Sequence, residues 1–380
     1  MGSDSAGVDR LGEAATAPAW DRFAHWRPWP ARILLAVGGI LLLFAALTPL
    51  TASMDGAPSE VPDLLSNEPS AESEPSRDHD LAFYDRVIER IAGDEVYYDF
   101  VVEEQRASGY PVRPGLAVRL PTLAYIHAAL GEAGMTVLAI LLMGATVWAW
   151  WKRLGEEPGG RRVQKIGAAL LLMGASLGLN RYYFVLHELW AGMLLALAFG
   201  LHRPGRWGGA LAVAALALAI REHALPFVLL LGAIAAWRCD WREAAAWGAL
   251  VLAFVVAIAW HLSLVAPHVL PTDPESPDWL VLRGLSGWLG NVVLSSNLRF
   301  LPHEVAGPLV VLMVLGWAGW KSPAGTTGTL LYLGYGLAFM LAGRANNFYW
   351  GAVVAPAMFI GLAFLPMALS SLLKSARGAA

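Results

Sequence analysis

Five short polar clusters interrupt an otherwise apolar chain, and their residue types could do chemistry together. They are Asp78-His79-Asp80, Asn180-Arg181-Tyr182-Tyr183, His187-Glu188, Arg221-Glu222-His223 and Arg344-Ala-Asn-Asn-Phe-Tyr-Trp350. A guanidinium suits phosphate oxygens because its planar fork donates two parallel hydrogen bonds. Arg221 and Arg344 are therefore candidates to bind a phosphate or diphosphate, and Arg344 is the better of the two because Asn346 and Asn347 follow it. A carboxylate such as Asp80 could accept the proton of an acceptor hydroxyl as general base. His187 and Glu188 could assist it. Alternatively, Asp78, Asp80 and Glu188 could hold a divalent cation such as Mg or Mn, since hard cations prefer carboxylate oxygens.

Each cluster also has a plainer reading. Asp80 stands at the N-cap position of the helix it opens. Asp78 and His79 lie in a polar loop where solvation suffices. Arg221 and Glu222 could be a structural ion pair. Glu188 could be an acid favoured at a helix N-terminus, and Arg344 a donor to terminal helix carbonyls. The functional reading gains weight from where the clusters fall relative to the elements that must position them.

Those elements are helices of membrane length. Of the 380 residues, 57% are hydrophobic and 15% charged, with a mean hydropathy of +0.51. Soluble domains carry about 25% charge. The deficit is gathered in long apolar runs, several near the roughly 20 residues that cross a bilayer. The runs predict about ten membrane helices: 31–51, 133–151, 165–180, 187–202, 207–221, 223–238, 243–263, 304–320, 327–343 and 349–372. Many of the 17 Trp stand at run ends, where an amphipathic ring prefers the headgroup level. The first run is too long for a signal-peptide core and reads as a signal anchor. The lone Cys239 excludes an intrachain disulfide, and a net charge of −3 carries no nucleic-acid footprint.

Basic residues set the orientation. Arg10, Arg22, Arg27 and Arg32 precede the first helix and place the N-terminus in the cytoplasm. Every even-numbered helix then ends at a basic loop: Lys152, Arg153, Arg161, Arg162 and Lys165; Arg203 and Arg206; Arg238 and Arg242; Lys321; Lys374 and Arg377. This is the positive-inside bias. It requires 207–238 to be two short helices meeting at Arg221-Glu222-His223. All five polar clusters then lie on the opposite, outer side.

The chain thus divides into a cytoplasmic tail at 1–30, a membrane domain at 31–372 and a cytoplasmic tail at 373–380. The domain carries two long outer loops, 52–132 and 264–303. Between residues 52 and 113 there are fifteen Asp and Glu against five Arg, which suits an outward loop. Residues 51–74 are polar and Pro-rich and should be mobile. From Asp80, residues Leu81, Tyr84, Ile88 and Ile91 recur on one helical face, with Gly93 as the stop. A second short helix is expected at 95–107. Residues 116–130 read as an interfacial or re-entrant segment, and an amphipathic helix is expected near 279–294.

The pattern resembles the GT-C class of membrane glycosyltransferases. The likeness lies in Asp80-Leu-Ala-Phe-Tyr84, Gly93, Tyr97-Tyr98 and the Pro-rich stretch Tyr110-Pro111, Arg113-Pro114 and Leu120-Pro121. It continues in His187-Glu188-Leu-Trp-Ala-Gly192, Arg221-Glu222 and Asn347-Phe-Tyr-Trp350 with Pro356. It spans most of the chain through short, degenerate motifs. The resemblance implies an all-α polytopic bundle with a helical first outer loop. It implies transfer of a sugar from a polyprenyl phosphate or diphosphate to a glycan or lipid acceptor, on the outer face of a bacterial inner membrane. Asp80 would be the catalytic acid or base, Arg344 and Arg221 would bind the donor phosphate, and Tyr84, His187, Glu188, Glu222, Asn347 and Tyr349 would contact the sugar or acceptor. A paired acid is present only as Asp78-His79-Asp80, and no large outer domain exists to read a protein acceptor. Two other classes compete: a transporter or flippase of a lipid-linked saccharide, and a non-catalytic partner in envelope polysaccharide assembly. The first would want internal repeats and polar groups at mid-depth; the sequence has no repeat, and its polar groups stand at helix ends.

Overall fold

A computed structural model describes residues 19–50 and 78–378. Among these residues the fold is all-helical, without a strand. The helices are α1 (Pro28–Leu47), α2 (His79–Ala92), α3 (Tyr97–Ala107), α4 (Thr122–Glu156), α5 (Gly160–Ala175), α6 (His187–Leu201), α7 (Gly208–Ile220), α8 (Leu225–Trp237), α9 (Trp241–Val265), α10 (Gly284–Leu294), α11 (His303–Gly319), α12 (Pro323–Leu341), α13 (Ala355–Met358) and α14 (Gly361–Arg377). Four stretches are long and apolar enough to cross a membrane: Pro28–Leu47, Gly115–Glu156, Trp241–His268 and Ala355–Arg377. Further apolar helices are shorter, such as His187–Leu201. A helix of that size rises only about 22 Å at 1.5 Å per residue. Arg10 and the stretch 51–77 lie outside the described residues.

Exposed apolar side chains fall in rows. Ile33, Val37, Ile40, Phe44 and Leu47 line one side of α1, and Leu252, Val255, Val256 and Trp260 one side of α9. In water such contiguous rows would be costly; against acyl chains they are not. At the centre lies α6, buried along nearly its whole length. Small residues let backbones close on one another there and elsewhere. A Cβ on Gly316 would stand 1.9 Å from the Gly361 carbonyl oxygen, so α11 and α14 meet at backbone contact.

The segment 207–238 is two helices. Arg221 is extended (φ −151°, ψ 122°), followed by a single 3-10 turn at Glu222–Ala224. The chain reverses there. His202, before α7, meets Glu243, after α8, at 2.7 Å at one end of the bundle, whereas Arg221 meets Glu188 at the other.

The bundle therefore has a basic end and an opposite end. At the basic end Arg203 pairs with Glu156 at 2.8 Å, buried Arg153 with Glu157 at 3.1 Å, and the Trp320 indole donates to the Pro158 carbonyl at 2.7 Å. The segment before α1 closes this end, with Lys321 donating to the Trp20 carbonyl and Ser375 to the Phe23 carbonyl.

Several expected boundaries move. α2 starts at His79, so Asp78 holds the N-cap position and Asp80 lies inside the first turn; it is not the cap. Residues 116–130 are a 3-10 turn and the first part of α4, which Gly131, with a φ of +61°, kinks away from the rest of that helix. Residues 165–180 end as a 3-10 turn at Ser176–Leu179. The run 349–372 is not one helix: a 3-10 stretch, Ala345–Val353, and the short α13 precede α14. The expected amphipathic helix near 279–294 is α10, buried from Gly287 to Val293, because it is apolar all round and lies inside the bundle.

Candidate functional site

Four charged side chains meet at the end opposite the basic loops. Glu188 lies in the first turn of α6, where the helix N-terminus favours an acid. Its Oε1 is 2.6 Å from the Nε of Arg221, which ends α7, and both side chains are almost fully buried. Arg221 also pairs with Glu222. Arg119, just before α4, stands 3.8 Å from both Glu188 and Glu222. Two cations thus face two anions. An isolated buried charge costs several kcal/mol, and mutual pairing offsets that cost. The guanidinium of Arg221 is occupied by the two carboxylates.

Around this quartet sit aromatic groups from α2 and α3. Arg119 donates from Nε to the Tyr84 hydroxyl at 3.1 Å, and Tyr97 donates to the Arg119 carbonyl at 2.7 Å. The Tyr84 ring rests 5.2 Å from the buried His187 ring. Tyr349 approaches from the 3-10 stretch Ala345–Val353, within electrostatic reach of Arg119, Glu188 and Asp80.

Asp80 lies on the exposed rim of this arrangement. Its carboxylate accepts a hydrogen bond from the Tyr110 hydroxyl, and the Tyr110 oxygen is 2.6 Å from Nδ1 of His79. Burial, with the neighbouring Asp80 carboxylate, holds the Tyr110 phenol above its ordinary pKa. The amide of Asp78 donates to Tyr182 at 3.3 Å, which ties the 180–183 cluster to the start of α2.

Arg344 differs from Arg119 and Arg221. Among the described residues it has no acidic partner; its Nε, like that of Arg221, is buried without a hydrogen-bond acceptor, but no carboxylate stands near it to offset that. Nε1 of Trp350 is in the same condition. The Trp350 ring packs against Gly343, which precedes Arg344, and lies 4.4 Å from the His223 ring. Asn347 is turned inward: its Oδ1 accepts from the Arg344 amide at 3.1 Å and its Nδ2 donates to Tyr349 at 3.3 Å. Arg283 likewise has no acidic partner among the described residues, and it donates to buried Asn291 at 2.9 Å.

Asp78, Asp80 and Glu188 do not assemble as a cation site. Asp80 faces Tyr110 and Glu188 faces Arg221, and among the described residues no three His, Cys, Asp or Glu side chains gather to hold a metal.

The end of α3 and the turn after it are strapped to the segment between α9 and α10. Arg106 binds Asp273 through two bonds, of 2.5 and 3.0 Å, and the amides of Val112 and Arg113 donate to the Pro274 carbonyl. Hydrogen bonding to Arg106 holds the Asp273 carboxyl down at about 2, so the strap is ionised at neutral pH.

Sequence reasoning placed the clusters on one side but missed Arg119, Tyr110 and Arg283. The available signal for Arg119 was a lone cation at the edge of an apolar run, beside Pro121. Compared with known protein families, with curated proteins and with solved structures, the chain matches none.

Proposed function

We propose that the chain is a membrane glycosyltransferase of GT-C character. It moves a hexosyl or pentosyl group from a polyprenyl phosphate or diphosphate to a glycan or lipid acceptor. The observation that carries this reading is Arg344: among the described residues its guanidinium has no carboxylate partner and its buried Nε has no acceptor, and at the same end of the bundle an exposed carboxylate, Asp80, is held by a tyrosine. Buried donors without acceptors are costly, and an anionic oxygen would satisfy them. In the reaction, Asp80 takes the acceptor hydroxyl proton as the acceptor oxygen bonds to the anomeric carbon. The bond from that carbon to the phosphate oxygen breaks, and the electron pair leaves on the phosphate, whose charge Arg344 stabilises. The Arg119, Arg221, Glu188 and Glu222 quartet forms the rigid floor. A transporter would want its buried charges at mid-depth, whereas Glu188 and Arg221 stand at helix ends.

Arg344→Ala tests the phosphate assignment. A charge-assisted hydrogen bond is worth about 1.5–3 kcal/mol, so affinity for polyprenyl phosphate in detergent should fall by about 10- to 100-fold. Unchanged affinity would remove Arg344 from the site.

In the same reading the bundle crosses a bacterial inner membrane about ten times, with the basic end in the cytoplasm. The sole cysteine tests this. Cys239 is exposed in the turn between α8 and α9, at the basic end. A membrane-impermeant maleimide should label it only after the inner membrane is permeabilised. Labelling of intact spheroplasts would invert the orientation.

A further inference from the structure

The His79, Asp80 and Tyr110 contacts hold more than a helix end in place. We infer that Tyr110 is a positioning residue that fixes the Asp80 carboxylate for proton abstraction, with His79 ordering the tyrosine hydroxyl. This rests on the reading of Asp80 as the base. A phenol hydroxyl has one hydrogen, and Tyr110 gives it to Oδ1 of Asp80. Its oxygen can then only accept from the imidazole, so Nδ1 of His79 carries the proton that faces it. Three groups from two elements are thereby locked in one donor direction. Oδ2 of Asp80 is left clear of this chain of bonds.

The backbone explains how a residue thirty positions away arrives there. α3 ends in a Schellman motif: the Tyr110 amide donates to the Gln105 carbonyl and the Gly109 amide to the Arg106 carbonyl. Gly109 takes a φ of +73°, which a side chain would resist. The turn throws Tyr110 back onto α2, where its ring lies 5.4 Å from Phe83 and 5.3 Å from His79. An exposed carboxylate in a first helical turn otherwise samples several rotamers, and misplacement of a base is costly in rate.

The test uses the full chain in vesicles of anionic phospholipid, with a panel of polyprenyl-phosphate hexoses and pentoses. Tyr110→Phe should lower kcat about tenfold with KM unchanged, and should cause no further loss in an Asp80→Asn background. His79→Asn, which keeps a donor near the Nδ1 position, should retain activity that His79→Ala loses. Independently of turnover, Tyr110→Phe should raise water-soluble carbodiimide labelling of Asp80 several-fold, read by peptide mass spectrometry. Wild-type kcat in Tyr110→Phe, or unchanged labelling, overturns the positioning role. Wild-type kcat in Asp80→Asn overturns instead the base assignment beneath it, and the labelling result then still reports whether the clamp exists.

Discussion

Asp80→Asn leaves the fold intact and lowers turnover by about 10²- to 10⁴-fold, the usual contribution of a positioned general base. The asparagine keeps the shape of the carboxylate, and its Oδ1 can still accept from Tyr110. Only the ability to take a proton is lost. Stability should barely change, because an exposed acid in a first helical turn contributes about 0.3–1 kcal/mol through the helix dipole. Turnover of a polyprenyl-phosphate sugar and the thermal unfolding midpoint in detergent, measured side by side, separate chemistry from folding. Asp78→Asn is the control: Asp78 occupies the cap position without a side-chain cap bond, so its loss should be silent. Wild-type turnover in Asp80→Asn would leave a transporter or a non-catalytic assembly partner as the better reading.

The helices were legible because each apolar run repeats one local signal. The break at Arg221 was legible for a different reason: two charges and Pro226 interrupt a run whose flanking loops are both basic. The gathering of the polar clusters at one end followed from counting helices against basic loops. What stayed hidden depends on contacts distant in sequence. Arg119 reads as the edge of a Pro-rich stretch, and only the docking of the segment before α4 against the start of α6 and the turn between α7 and α8 gives it two carboxylates. Tyr110 likewise shows its role only after the Gly109 turn folds it onto α2. The run 349–372 looked continuous because hydropathy is blind to backbone geometry. A Cβ on Gly351 would fall 1.9 Å from the Asn291 carbonyl oxygen, and that close approach to α10 accompanies the 3-10 path there. The burial of α10 was hidden because apolar-all-round sequence does not distinguish a lipid-facing helix from an interior one.

Glu188→Ala should destabilise the protein by about 3–5 kcal/mol, the cost of leaving a buried charge without its partner. The charge stranded is that of Arg221, whose Nε lies 2.6 Å from Glu188 in surroundings nearly closed to solvent. Glu222 still reaches Arg221 but is partly exposed and is shared with Arg119, so it compensates only in part. Glu222→Ala should therefore cost less than Glu188→Ala, and the order of the two is the sharper part of the prediction. Replacing both members of the buried pair, as in Glu188→Leu with Arg221→Met, should recover most of the loss, because apolar groups of similar volume need no pairing. Thermal unfolding in detergent micelles, followed by intrinsic Trp fluorescence, measures all four proteins. If Glu188→Ala matched the wild type, the quartet would not be the floor that holds α4, α6 and α7 together. If the double variant were stable and still bound polyprenyl phosphate as the wild type does, Arg221 would be structural, and the phosphate would rest on Arg344.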